Sequence, residues 1–302
     1  MYQNSENIVS SLAELENEIE HAPHGTSKTI YIDKDIEITY SVEIQQSYIT
    51  LKPSSKSVKI CRTNSVNSPK TGLFDVVLGG LTIAGADGFT LTIEGNKDKS
   101  NNQPLIHCYN CGQFTLQKNG ILQNNITDNG GAVYVGEKSD FIMEGGSIRG
   151  NEARCNGGAI YVDLDGAVYI KEGFIENNIA GGNGGGIYFR RSHPYLRRCA
   201  SDISGGHITQ NTAGLGGGGV YYDVPACTQE FITDKASWNQ GGGLFSRGLQ
   251  LGRCTPPISG GNINDAGLYI RSESIVRDNI AQKKSACNDI YPIFGWKEEE
   301  SQ

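Results

Sequence analysis

The chain predicts an all-β fold: a parallel β-helix solenoid with an N-terminal α-helical cap. Three observations carry this. A Gly-Gly-aliphatic-aromatic run recurs through the middle of the chain, a second column of Ile-x-x-Asn keeps step with it, and glycine reaches 40 of 302 residues, about twice its usual ~7% share. A period in the twenties that drifts by insertion marks a solenoid with loops on some coils.

The first column reads Gly130-Gly131-Ala132-Val133-Tyr134, Gly157-Gly158-Ala159-Ile160-Tyr161, Gly184-Gly185-Gly186-Ile187-Tyr188 and Gly217-Gly218-Gly219-Val220-Tyr221. Weaker copies end at Phe245, Tyr269 and Tyr291. The second column reads Ile121-x-x-Asn124, Ile148-x-x-Asn151, Ile175-x-x-Asn178 and Ile208-x-x-Asn211, with Ala236-x-x-Asn239 as a shortened copy. Five residues before each Ile a third column is always apolar: Leu116, Met143, Ile170 and Ile203, continued by Phe231 and Ile258. Runs such as Val133-Tyr134-Val135 alternate with period two, so the β-branched residues face inward and the tyrosines outward. Stacked Asn side chains can bond each other and the turn backbone.

The N-terminal third is less regular but holds short strand-like runs, among them Thr29–Ile32, Ile36–Ile38 and Phe89–Ile93. Before them Ile8, Leu12, Leu15 and Ile19 share one helical face, which suits a cap over the open end of a solenoid. The expected organisation is a capping helix over 1–22, one β-helix domain over 23–296 with its clearest repeats at 113–291, and a flexible tail at 297–302.

Net charge is −7 with pI near 5.3, which argues against nucleic acid and anionic membranes as partners. No apolar run is long enough for a membrane-spanning helix. Met1–Asn7 lacks the basic and apolar regions of a secretory signal, so the segment is expected to be intracellular or to have lost its signal.

Gly157-Gly158-Ala159-Ile160 and Phe174-Ile175-Glu176-Asn177 resemble the paired GGAI and FxxN motifs of polymorphic outer-membrane-protein repeats. The wider pattern is similar to adhesin-like β-helices of the pectin-lyase-like superfamily. The resemblance covers roughly 113–291 and implies a right-handed β-helix, an extracellular or cell-surface setting, and an adhesive or structural role. Most repeats have Ile where the family motif has Phe.

Candidate binding residues fall in two groups. The outward row Tyr134, Tyr161, Tyr188 and Tyr221 could stack on sugar rings or simply on itself. The segment from Arg190 holds Arg190, Arg191, His193, Tyr195, Arg197 and Arg198, an Arg-rich stretch suited to an anionic glycan or acidic protein patch. Trp238 could border the same surface. Two residues after each aromatic, Asp163, Arg190, Asp223, Arg247 and Arg271 form a column in which Asp and Arg alternate from Asp163 through Arg247, expected to pair across coils.

Cys199, Cys227 and Cys254 share one column, at a spacing that allows a disulfide or a buried thiol ladder. Cys108-x-x-Cys111 has no second pair to complete a zinc site, and Gly181–Gly186 lacks the Asp of the calcium nonapeptide, so no metal or cofactor is expected. The best catalytic candidates, Asp128, Asp163, Asp165, Asp202 and Asp223 with Arg190 or His193, scatter over turns and the charge column, which weighs against an enzyme. The leading expectation is a non-catalytic surface β-helix that binds a glycan or protein. The alternatives are a polysaccharide lyase or glycoside hydrolase, including a tailspike-type depolymerase, and a purely structural solenoid in a larger assembly.

Overall fold

The computed structural model describes residues 7–63, 72–97, 102–190 and 201–223, with the short segments 244–246, 263–265, 268–270, 275–277 and 279–281. The fold is all-β and its sheets are almost wholly parallel. Successive passes of the chain return to the same curling sheets, as in a solenoid. One sheet of eight strands runs from Val42–Gln45 to Leu244–Ser246. A sixteen-stranded sheet holds two runs that fuse where Asp140–Arg149 and Ala167–Glu176 become continuous strands. A five-stranded sheet begins at Ile126–Thr127. Among the described residues one helix, Leu12–Glu20, is N-capped by Ser11 and buries Leu15 and Ile19 in the main core. The acidic first turn at Glu14 suits the helix N-terminus.

Period-two alternation places the interior. Val133, Val135, Ile160 and Val162 are buried while Tyr134 between two of them lies on the opposite face. The third apolar column is borne out as a ladder: Leu116 pairs with Met143, Met143 with Ile170 and Ile170 with Ile203. Phe114 stacks on Phe141 at 5.2 Å inside the same core.

The paired glycines have two separate reasons. Gly130, Gly157, Gly184 and Gly217 take φ of +66°, +69°, +68° and +62°, which a side chain resists. At Gly131, Gly158 and Gly185 a Cβ would collide with the carbonyl oxygens of Gly158, Gly185 and Gly218 on the next coil.

The asparagine column forms a hydrogen-bonded ladder along the interior edge. The backbone N–H groups of Asn125, Asn151, Asn178 and Asn211 donate to the Oδ1 of Asn151, Asn178, Asn211 and Asn279 at 3.1, 2.9, 3.0 and 2.8 Å. The side-chain amides of Asn151, Asn178, Asn211 and Asn279 donate in turn to Leu122, Ile148, Ile175 and Ile208 carbonyls. All five residues are buried, so the ladder satisfies backbone groups that water does not reach.

Two expected members of the columns are corrected. The first ladder residue is Asn125, not Asn124, because Leu122 rather than Ile121 pairs with Ile148. Asn124 instead takes a left-handed corner conformation, φ +57°, as Gly150, Asn177 and Gln210 do before the other ladder asparagines. Tyr269 lies opposite Asp202 in the sixteen-stranded sheet, outside the aromatic row, and Ile203 is followed by Ile270. Asn239, Phe231, Ile258 and Tyr291 lie outside the described residues.

Candidate functional site: the outer row of the eight-stranded sheet

The eight-stranded sheet sets one outward residue of each coil in a single file. Its order is Glu43, Asp75, His107, Tyr134, Tyr161, Tyr188 and Tyr221, and Phe245 follows Tyr221 in backbone register. The strands are about 4.8 Å apart, close to the thickness of offset stacked rings. Tyr134 stacks on Tyr161 at 5.0 Å, Tyr161 on Tyr188 at 5.1 Å, and Tyr188 on Tyr221 at 5.2 Å, with interplanar angles of 13–23°. Tyr161, Tyr188 and Tyr221 keep only 7%, 6% and 3% of their surface exposed, and form a cluster separate from the interior core. The ring faces between neighbours are therefore spent on each other, and Tyr134 at the end of the row is the more open member.

Asp163 ties this row to the charge column. Its Oδ2 accepts the Tyr134 hydroxyl at 2.5 Å. Its Oδ1 accepts the Leu164 N–H at 2.8 Å and the Arg190 guanidinium at 3.2 Å. Burial, and then the Asp163 carboxylate, push the Tyr134 phenol upward and keep it protonated. Arg190 is pushed upward mainly by Tyr161 and then by Asp163, and its side chain stays 53% exposed. Asp223 sits opposite Arg190 in register, as the alternating column requires. The Asp163 carboxylate thus has a phenol, an amide and a guanidinium committed to its two oxygens.

The row changes chemistry toward the N-terminus. Asp75 is fully buried on the outer face, where it accepts the Ser41 hydroxyl at 2.7 Å and faces His107 Nδ1 at 3.1 Å. His107 stacks on Tyr109 at 4.8 Å and meets the edge of Tyr134 at 5.2 Å. Ser41 also bonds the Gly72 carbonyl. Arg62, buried at the neighbouring corner, donates to the Pro104 carbonyl at 2.7 Å. Burial lowers its pKa to about 10, against the opposing pull of Asp75, so it stays charged at neutral pH.

Sequence reasoning missed this cluster. Its signal was only the alignment of Phe74-Asp75-Val76 with Ile106-His107-Cys108, two runs with apolar flanks and unlike centres.

Among the other candidates, Asp128 pairs with Arg154 at 3.1 Å, and Asp165 and Asp202 lie on other strands and turns. The structure brings Arg190, Tyr134, Tyr161, Tyr188 and Tyr221 onto one face. Arg191, His193, Tyr195, Arg197, Arg198, Trp238, Cys199, Cys227 and Cys254 lie outside the described residues. Cys61, Cys108, Cys111 and Cys155 are free thiols. Cys108 points into the core and Cys111 is exposed on the following turn. Among the described residues no group of His, Cys, Asp and Glu has the geometry of a metal site, and no helix is long and apolar enough to cross a membrane. No family model, curated protein or solved structure matches the chain.

Proposed function

We propose that the chain is a right-handed parallel β-helix, capped at its start by the helix Leu12–Glu20, that works as a non-catalytic cell-surface protein. It holds a glycan or protein partner on its outer coil face and the loops beside it. The observation that carries this reading is the state of Asp163 and Arg190. The carboxylate is committed to Tyr134, Leu164 N–H and Arg190, while the cation stays half exposed at the start of the Arg-rich stretch 190–198. A stiff row that fixes a cation and consumes its own acids suits binding an anionic group better than bond cleavage. The GGAI and FxxN repeats support the same reading by resemblance.

A glycan array probed with the whole protein tests it. Binding concentrated on acidic glycans, and lost when Arg190, Arg191, Arg197 and Arg198 are replaced by Ala, is the expected result. A blank array together with unchanged protein-partner capture by that variant sinks the proposal.

One observation favours the enzyme alternative. His107 and Asp75 make the kind of pair that orients an imidazole for general-base work. Release of reducing ends or unsaturated products from a polysaccharide panel, abolished by His107→Ala, would select that reading.

A further inference from the structure

Tyr40 and Tyr134 both donate their hydroxyl to a carboxylate, to Glu16 Oε2 and Asp163 Oδ2, each at 2.5 Å. A phenol–carboxylate bond this short is a ready path for a proton. The surroundings of the two rings differ. Tyr40 is 44% exposed, and among the described residues no ring stacks on it. Tyr134 stands in the row between His107 and Tyr161. Tyr161 stacks on it at 5.0 Å, and its edge contact with His107 is at 5.2 Å.

A phenol loses an electron with difficulty while it keeps its proton, because the radical cation left behind is a strong acid. The loss is far easier when a base in hydrogen-bond reach takes the proton in the same step. Burial and Asp163 keep Tyr134 protonated, so no phenolate is present to react instead. Asp163 Oδ2 faces the phenol, while the Leu164 N–H and Arg190 sit on Oδ1 and hold the carboxylate in place. A ring stacked on an oxidised neighbour shares its electron density with it, which favours the oxidised state. The spacings of 5.0–5.2 Å along Tyr134, Tyr161, Tyr188 and Tyr221 are short enough for an electron to pass from ring to ring. Phenoxyl radicals are lost mainly by coupling with one another, and rings covered on their faces cannot meet a second molecule.

We propose that the tyrosine row is a one-electron donor that traps diffusible one-electron oxidants, such as peroxyl or azide radicals, at Tyr134. The oxidant takes one electron from the Tyr134 ring and becomes its anion. The phenol O–H bond breaks and the proton passes to Asp163 Oδ2, which becomes a carboxylic acid. A neutral phenoxyl radical remains, stacked on Tyr161. The negative charge that Asp163 carried now resides on the reduced oxidant, so charge and atoms balance. A donor on this face spares the oxidisable groups of the core behind it, Cys108 and Met143, both fully buried. This activity does not depend on the function proposed above.

Pulse radiolysis of the whole protein in azide solution tests it, with the tyrosyl radical followed by absorbance and by freeze-quench electron paramagnetic resonance. Trp238 and Trp296 also react with azide radicals and are kept in every variant, so their share is common to all. A slowly decaying tyrosyl signal is expected, formed more slowly in deuterium oxide than in water. Tyr134→Phe should remove most of it. Tyr40→Phe should leave it intact, because an exposed phenoxyl couples and disappears early. Asp163→Asn keeps the ring and should slow formation about tenfold, the weight of one charge-assisted hydrogen bond on a barrier. Near-ultraviolet circular dichroism checks that the row variants keep their stack. The proposal is overturned if no slowly decaying signal forms, or if it forms equally fast in deuterium oxide. It is also overturned if the signal survives Tyr134→Phe, or if Tyr40→Phe removes it, which would mean that any phenol on a carboxylate suffices.

Discussion

The N-terminal coils, residues 27–97, and the middle coils, 102–223, share sheets and interior but solve the outer row and the corners differently. In the middle, like stands on like: Asn on Asn at the corner and Tyr on Tyr outside. Each side chain meets the bonding needs of its own copy one coil away. At the start, unlike groups interlock: Ser41 bonds Asp75, and Asp75 faces His107 on the first of the middle coils, so three passes of the chain are tied together. The lesson concerns how error spreads. A ladder shares its load among repeated members, whereas the Asp75 knot concentrates it on one buried carboxylate.

The sharpest way to break that contrast is Asp75→Ala. It removes one acceptor of the Ser41 hydroxyl, the carboxylate facing His107 Nδ1 and the charge that opposes the desolvation of Arg62. The expected loss is about 3–5 kcal/mol, the scale for breaking a buried ionic group, read from denaturant unfolding. A loss below that of a ladder variant would show that the knot is not the concentrated point it is taken to be.

Within the ladder, Asn178→Ala removes the acceptor for Asn151 N–H and the donor to the Ile148 carbonyl. We expect about 3 kcal/mol from the stranded groups. Asn125→Ala, at the ladder's end, should cost less, about 2 kcal/mol: its amide donates to the Gln103 and Gly131 carbonyls, but among the described residues its Oδ1 has no partner to lose. Equal losses at the two positions would remove the idea that stability passes along the ladder.

Tyr134→Phe keeps the stacked ring and deletes one bond to Asp163. A calorimetric loss of about 1 kcal/mol is expected, with near-ultraviolet circular dichroism of the tyrosine row otherwise retained.

The smallest effect belongs to Asp140, whose carboxyl is pushed upward by burial. A folded-state pKa above the unfolded one means the neutral form is preferred on folding. The group therefore weakens the fold above both values, and the penalty vanishes below both. Asp140→Asn should raise the melting temperature at pH 7 and lose that advantage as the pH falls through the carboxylate range.

These differences also explain what could be read from the residues alone. The middle columns were legible because the same residue type does the same work at each pass, so Tyr161 points to Tyr188 and Asn151 to Asn178. The first coil misled because Asn124 and Asn125 are adjacent. Spacing to the tyrosine favours the former, yet the backbone puts it in the corner and its neighbour in the ladder. The Asp75 cluster was illegible for the opposite reason: its members share no residue type, and their relation appears only when separate passes are laid side by side. Of the candidate binding residues, the tyrosines and Arg190 were placed correctly on one face. That the rings would be consumed by self-stacking was one of two readings the alternation allowed.

The slip at the first corner has a further consequence. Leu116 and Met143 are 27 residues apart, as are Tyr134 and Tyr161, but Leu122 and Ile148 are 26 apart. One residue is lost between Met143 and Ile148, the deficit carries through the five-stranded sheet, where Ile126 faces Glu152, and it is regained before the eight-stranded sheet, whose register is unchanged. Each corner thus behaves as an expansion joint. Length differences are absorbed locally and do not shift every later side chain to the wrong face. A chain assembled this way can gain or shed residues, or whole passes, without renegotiating the rest of its core. Its tolerance of insertion is therefore a property of the bends, while its stiffness belongs to the ladders between them.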